Sequence, residues 1–253
     1  MSENNNSQDW LRSGRDNPYA FLGGTPVALA EESTRTTFIR RVYTHMFGAV
    51  LAFAALQFVL LNTPAAATLT GFFYGTHYGT FILLGMMIGA SWLASYWAHS
   101  AISLPVQYAG LGLYVVAQSL VAAPLLYVAN HSFPGQHLIE SAALITVAVF
   151  AGLTAVVWFT KVDLSFMGKI LTVVGITAFA TIIVGMIFGF TLGIWFTGLM
   201  IALACGYIMY DTSMILHHYT EDRYVGAALE LFASVIMLFY QILIFLMKLQ
   251  SRD

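Results

Sequence analysis

Two acids stand where lipid would be expected. Asp211 lies near the end of a long apolar segment, in the run Gly206-Tyr207-Ile208-Met209-Tyr210-Asp211-Thr212-Ser213-Met214-Ile215-Leu216. Glu230 lies near the start of the next apolar segment. A carboxylate at membrane depth costs about 2.5–3.5 kcal/mol on insertion scales, so it needs a partner, a water cavity or a task. Each acid falls about six residues, or roughly 9 Å of helix rise, from the end of its segment that faces the shared loop. Antiparallel neighbours joined by a short loop pack together, so the two carboxyls are expected to face each other. Ser234 belongs one turn deeper on the face that carries Glu230, because residues four apart align on a helix. Two carboxyls a few ångströms apart do not ionise together cheaply. The pair therefore reads as a proton sensor or, with both charged, as a weak cation site. Oxygen ligands suit Ca2+, yet two carboxylates are too few for a tight site, which fits passage better than storage. Tyr210, Thr212 and water are the competing partners that would hold the acids apart.

Other polar groups carry less. His137 and Glu140, three apart at the start of an apolar segment, fit an outer vestibule or plain solvated interface residues. His45, close to Arg40 and Arg41, is expected to be packed or interfacial. His217 and His218 with Glu221 and Asp222 have metal-ligand residue types, but adjacent histidines point apart on a helix, so a solvated loop is expected there. Catalysis is not expected: no Gly-x-Ser-x-Gly and no His-Glu-x-x-His occurs, and Tyr210-Asp211 lacks the Gly-x-Gly-Asp partner of an intramembrane aspartyl protease. The only lysine of the last segment, Lys248, is at its end, which argues against a retinal protein. No resident cofactor is expected, with Ca2+ entering only as a transported or weakly held ion.

Elements long enough to carry these acids across a membrane follow from composition. Hydrophobic residues make up 59% of the 253 and charged residues 9%, where a soluble domain carries about a quarter charged. Mean hydropathy is +0.78. The chain is therefore an all-α, polytopic membrane protein, and its net charge of −2 gives no nucleic-acid signal. A spanning helix needs about 20 largely apolar residues. Seven stretches qualify, at 42–62, 79–98, 105–130, 138–160, 166–190, 192–217 and 224–249. The fifth and sixth are joined by only Phe190-Thr191-Leu192-Gly193, a tight hairpin. Basic residues set direction. With the N-terminus in the cytoplasm, Arg12, Arg15, Arg35, Arg40, Arg41, Lys161, Lys169 and Arg223 are inside, and only Lys248 and Arg252 are on the opposite side with the C-terminus. Residues 1–35 are polar, broken by Pro18 and Pro26, and lack a signal-peptide core. They read as a flexible cytoplasmic tail ahead of a transmembrane domain at 36–253. Small residues four apart (Gly85 and Gly89, Gly185 and Gly189, Ala202 and Gly206) are expected to let helices pack closely. The lone Cys205 excludes an intrachain disulfide.

The segment from Gly206 to Leu216, with the following Ala227-Ala228-Leu229-Glu230-Leu231-Phe232-Ala233-Ser234-Val235-Ile236-Met237-Leu238-Phe239, resembles the hallmark of the Bax inhibitor family, the transmembrane Bax-inhibitor-motif proteins. Lys161-Val162-Asp163-Leu164-Ser165-Phe166-Met167-Gly168 and the ending Ser251-Arg252-Asp253 are similar to its bacterial branch, which associates with a membrane-anchored ATP-dependent protease. The resemblance runs from Thr34 onward and is specific near the C-terminus, diffuse elsewhere. It implies seven helices with the last one central, wrapped by the other six, in a bacterial inner membrane. It also implies a pH-sensitive calcium leak governed by an aspartate on each of the last two helices. Asp211 matches the first of these, whereas the second falls on Ser234, a departure. Glu230, one turn away, is our own candidate for restoring the pair. The family's latch arginine on the second helix has no counterpart in 79–98. Two functions stay open at this point: a cation leak gated by Asp211 and Glu230, and a non-conducting regulator that grips a quality-control protease through residues 1–35.

Overall fold

The computed structural model describes residues 26–76, 78–99 and 103–251. Eight helices follow in order: α1 (Glu32–Leu61), α2 (Pro64–Gly75), α3 (Gly79–Ala98), α4 (Leu104–Ser132), α5 (Leu138–Thr160), α6 (Met167–Phe188), α7 (Ile194–His217) and α8 (Tyr224–Gln250). Single 3-10 turns precede α1 (Val27–Leu29) and α8 (Glu221–Arg223). Seven of these helices, all but α2, are long and apolar enough to cross a membrane.

The ends of the helices follow from local chemistry. Thr63 is extended and Pro64 occupies the first turn of α2, where its missing N–H is no loss. Gly189 closes α6 in the left-handed region at φ 72°, which only glycine enters freely. Lys161 closes α5 in the same region at φ 50° without being glycine. Inside α4, Pro124 deprives the Leu120 carbonyl of its helical donor. The carbonyls of Gln118 and Ser119, in that loosened turn, accept bonds from the Tyr240 hydroxyl (3.0 Å) and the Gln57 amide (2.8 Å). Side chains of α8 and α1 thus pin the broken turn, as backbone in lipid requires.

The last helix is central. α8 packs against α7, α1, α5, α4 and α3. In the most apolar stretch of each span, 50–61% is buried for α4, α7 and α8, against 11–22% for α1, α3, α5 and α6. The first three form the core and the others present apolar faces outward. Phe159, Trp195 and Phe188, exposed at 76–89%, are the lipid-facing side chains that make this an integral membrane protein.

Several details differ from expectation. The first helix begins at Glu32, ten residues before the expected start at 42, because its polar first turns continue the helix past the apolar stretch. The stretch between the first two expected spans folds into α2, whose 12 residues (about 18 Å) are too short to cross. α6 leans on α7 rather than on α8, so the wrapping around α8 is left open on that side. Of the small-residue pairs, Gly85 and Gly89 face open space and pack nothing, while Gly206 meets Leu171 closely. The close helix crossing uses Gly110 instead, against the backbone of Ala94 and Ala98.

Candidate functional site

Asp211 is buried on α7, at 8% exposure. The Ser234 hydroxyl of α8 donates to its Oδ2. Ser234 thus stands directly across from Asp211, at the position where the family resemblance expected a second aspartate. Glu230, one turn toward the start of α8, is within electrostatic reach of Asp211, though no hydrogen bond joins the two acids. Tyr207 and Tyr210 lie in the field of both acids.

The remaining polar residues singled out in the sequence make contacts of their own. The Thr212 hydroxyl donates to the Ile208 carbonyl of its own helix (2.7 Å). Tyr210 lies over Gly168 of α6, where an added Cβ would meet its ring at 2.9–3.0 Å. His137 Nδ1 and Glu140 Oε1 approach to 3.7 Å as a largely exposed pair in the first turn of α5. Among the described residues, no three of His, Cys, Asp and Glu gather as a metal site would require.

A histidine just past the end of α3 supplies what the spans lacked. His99 Nε2 lies 3.7 Å from Glu230 Oε1, and its Nδ1 bonds the Ser95 carbonyl (2.9 Å). Gly226 faces the ring so closely that an added Cβ would sit 2.9 Å from it, so glycine is what makes room for His99. Arg223, only 2% exposed, donates from Nη1 to the His99 carbonyl and pairs with Asp222 at 3.4 Å. A guanidinium therefore caps the C-terminal end of α3, where carbonyls lack helical donors. His99 escaped the sequence reading because it follows the apolar stretch and reaches Glu230 only once α3 packs on α8. The residue type was the available signal: a histidine directly after a span.

Glu230 and Ser234 open into a cavity of about 580 Å³. Its walls come from α3 (Met87, Ser91), α4 (Tyr114, Gln118), α6 (Gly175, Phe179), α7 (Met200, Tyr207) and α8 (Tyr240). The gap left by α6 leaning away from α8 is this cavity. At the opposite end of the bundle, Lys248 Nζ donates to the Leu192 carbonyl (2.7 Å) and the Thr197 hydroxyl (2.8 Å), tying α8 to the α6–α7 connection.

On the acids' side, the 161–166 connection is clipped to the end of α7. Ser213 Oγ accepts from the Leu164 N–H (2.8 Å) and donates to the Val162 carbonyl (3.1 Å). His218 Nε2 lies 3.0 Å from Asp163 Oδ2, and the Val27 N–H donates to the Tyr219 carbonyl (2.9 Å). His218 therefore joins a loop clamp, while His217 Nδ1 bonds the Ser213 carbonyl of its own helix (2.9 Å). Burial pushes the Asp163 carboxyl up, but the Ser165 N–H and His218 outweigh it and leave it below its ordinary value. A carboxyl lowered on folding contributes stability above its unfolded value, near 3.9, and that contribution disappears as pH falls through the lower folded one. Because the pair is half exposed, the effect is expected at about 0.2–1 kcal/mol. Asp163→Asn should melt slightly below the parent in detergent near neutral pH and converge with it below about pH 3. A constant gap between the two curves at every pH would refute the assignment.

Comparison with known proteins bears on all of this geometry. A family profile described as "Inhibitor of apoptosis-promoting Bax1" matches residues 35–252. The chain is 28% identical to Bax inhibitor 1 of Schizosaccharomyces pombe, over 97% of this chain and 90% of that protein. It is 32% identical to LIFEGUARD 4 of Arabidopsis thaliana (93% and 94% covered) and 30% identical to lifeguard 4 of Mus musculus (92% and 93%). A helix bundle built around α8, with Asp211 in its core and a match across nearly the whole chain, leads to one assignment: this protein belongs to the Bax inhibitor family.

Proposed function

We propose that the chain is a pH-sensitive cation leak, with Asp211 and Glu230 as its gate and calcium or protons as its cargo. The observation that carries this reading is the junction of α7 and α8: Asp211 accepts from Ser234, and Ser234 and Glu230 both line the cavity. A cation entering the cavity meets Glu230 first, while Asp211 is held behind Ser234. The His99 contact fastens Glu230 to α3. Protonating Glu230 removes the attraction for both a protonated His99 and a passing cation, so pH acts on the fastening and on the path together. Serine at 234 replaces a direct carboxylate pair by a hydroxyl-bridged one, which leaves Glu230 as the acid that answers to the cavity. The basic residues at one end of the bundle support a cytoplasmic N-terminus.

Flux into calcium-free and calcium-loaded liposomes tests this reading. Asn and Gln mimic the protonated acids, so Asp211→Asn with Glu230→Gln should hold flux at its acidic value between about pH 5 and 8, while the parent varies. An unaltered rate and pH profile in the double variant would refute the gate. A second reading has one observation in its favour. The chain leading out of residues 1–25 is anchored beside the α7–α8 loop, through the Pro26–Thr220 bridge and the Val27 bond to Tyr219. A tail leaving from that point is well placed to hand a partner's grip to α7 and α8, as regulation of a protease would need. A parent chain that passes no ion at any pH would favour it.

A further inference from the structure

A second cavity, of about 530 Å³, lies between the start of α1 and the end of α5. Arg35 and Arg40 of α1 line it together with Lys161, and Glu32 is the one carboxylate on its wall. Among the described residues, none of these three cations forms an ion pair within 4 Å. Tyr43 and Trp158 form its deeper wall, edge to face at 6.1 Å, with Trp158 Nε1 donating to the Tyr43 hydroxyl (3.3 Å).

Depth decides what such a cavity meets. α1 has 30 residues, about 45 Å, some 15 Å more than the hydrocarbon core of a bilayer. Its polar first turns, which hold Arg35 and Arg40, are the part that projects into the headgroup layer. Tyr43 and Trp158 then fall at the boundary, the depth such side chains favour. Next to Trp158 in the chain, Phe159 is 88% exposed, an apolar flank fit for acyl chains. Lys161 occupies a left-handed cap that glycine would adopt with less strain.

We infer that this cavity binds the phosphate headgroup of an anionic glycerophospholipid, with Arg35, Arg40 and Lys161 around the phosphate and the acyl chains along the Phe159 flank. Planar guanidinium groups match phosphate oxygens in pairs, and the lysine adds a point charge. The Tyr43–Trp158 wall and the exposed Phe159 favour a lipid over a free phosphate, since a free ion would use only the cations. Basic pockets between spanning helices are the setting in which anionic headgroups are held.

The full chain, purified in mild detergent and doped with equal phosphatidylglycerol and phosphatidylcholine, can be examined by native mass spectrometry. The parent should retain phosphatidylglycerol in preference. Removing each cation should lower that preference about fivefold, so Arg35→Gln with Arg40→Gln lowers it roughly 25-fold. Lys161→Gly should also lose preference while melting no lower than the parent in phosphatidylcholine alone, since glycine suits that backbone. Equal retention of the two lipids by the parent, or an undiminished preference in Arg35→Gln/Arg40→Gln, would overturn the inference. So would displacement of phosphatidylglycerol by millimolar inorganic phosphate, which would name a free ion as the ligand.

Discussion

Arg223→Met is expected to lower stability by roughly 2–4 kcal/mol, the scale set by removing a charged donor from a buried acceptor. The Met side chain fills similar space, so the loss measures the guanidinium and not a cavity. Arg223 is 2% exposed and donates to the carbonyl of His99, at the end of α3. Without it, that carbonyl loses its charged donor. The consequence reaches function, because the same contact fixes the residue whose ring approaches Glu230. Thermal melts in detergent give the stability arm, and liposome flux gives the other. Arg223→Lys should recover part of the stability, since one charged donor remains but the planar fork is lost. Melting curves that coincide for Met, Lys and parent would show that the cap carries no weight.

Gly110→Leu is expected to disturb the bundle at a different place and by a different physical route. A Cβ there would stand 2.6 Å from the Ala98 backbone nitrogen and 2.7 Å from the Ala94 carbonyl oxygen. Backbone cannot swing aside as a side chain can, so α3 must move off α4. Overpacking of this kind costs about 1–3 kcal/mol, and more where two backbones meet. Because His99 directly follows α3, displacement of that helix should also loosen the Glu230 contact and blunt any pH dependence of flux. Gly112, two residues on, provides the control: nothing lies within 4 Å of its Cβ position. Gly112→Leu should therefore melt within about 0.5 kcal/mol of the parent. Equal behaviour of the two substitutions would show that the α3–α4 crossing is not built on Gly110.

The two variants separate two kinds of information. Composition alone determined that this chain lives in a membrane and crosses it seven times, because each span must satisfy its backbone within its own helix. That requirement is local, so it is legible residue by residue, and the starts of α3, α5 and α8 at Gly79, Leu138 and Tyr224 coincide with expectation. The hallmark run around Asp211 was equally local, and it pointed to the family before any helix was placed. α2 and the early start of α1 at Glu32 were not legible, since one is too short to span and the other begins in polar residues.

The site depended on packing between helices far apart in the chain. Nothing in the residue pattern says that α3 meets α8, so His99 could not be matched with Glu230, nor Arg223 with the end of α3. The hydroxyl bridge from Ser234 to Asp211 likewise needed the relative rotation of α7 and α8, a quantity that helical spacing bounds only to within a turn. The cavity exists because α6 rests on α7 and leaves α8 open on one side. Which face of a lipid-embedded helix turns inward is weakly encoded by hydrophobicity, because lipid and core are equally apolar. Close contacts such as Gly110 against Ala94 decide it instead, and those exist only once the helices are assembled.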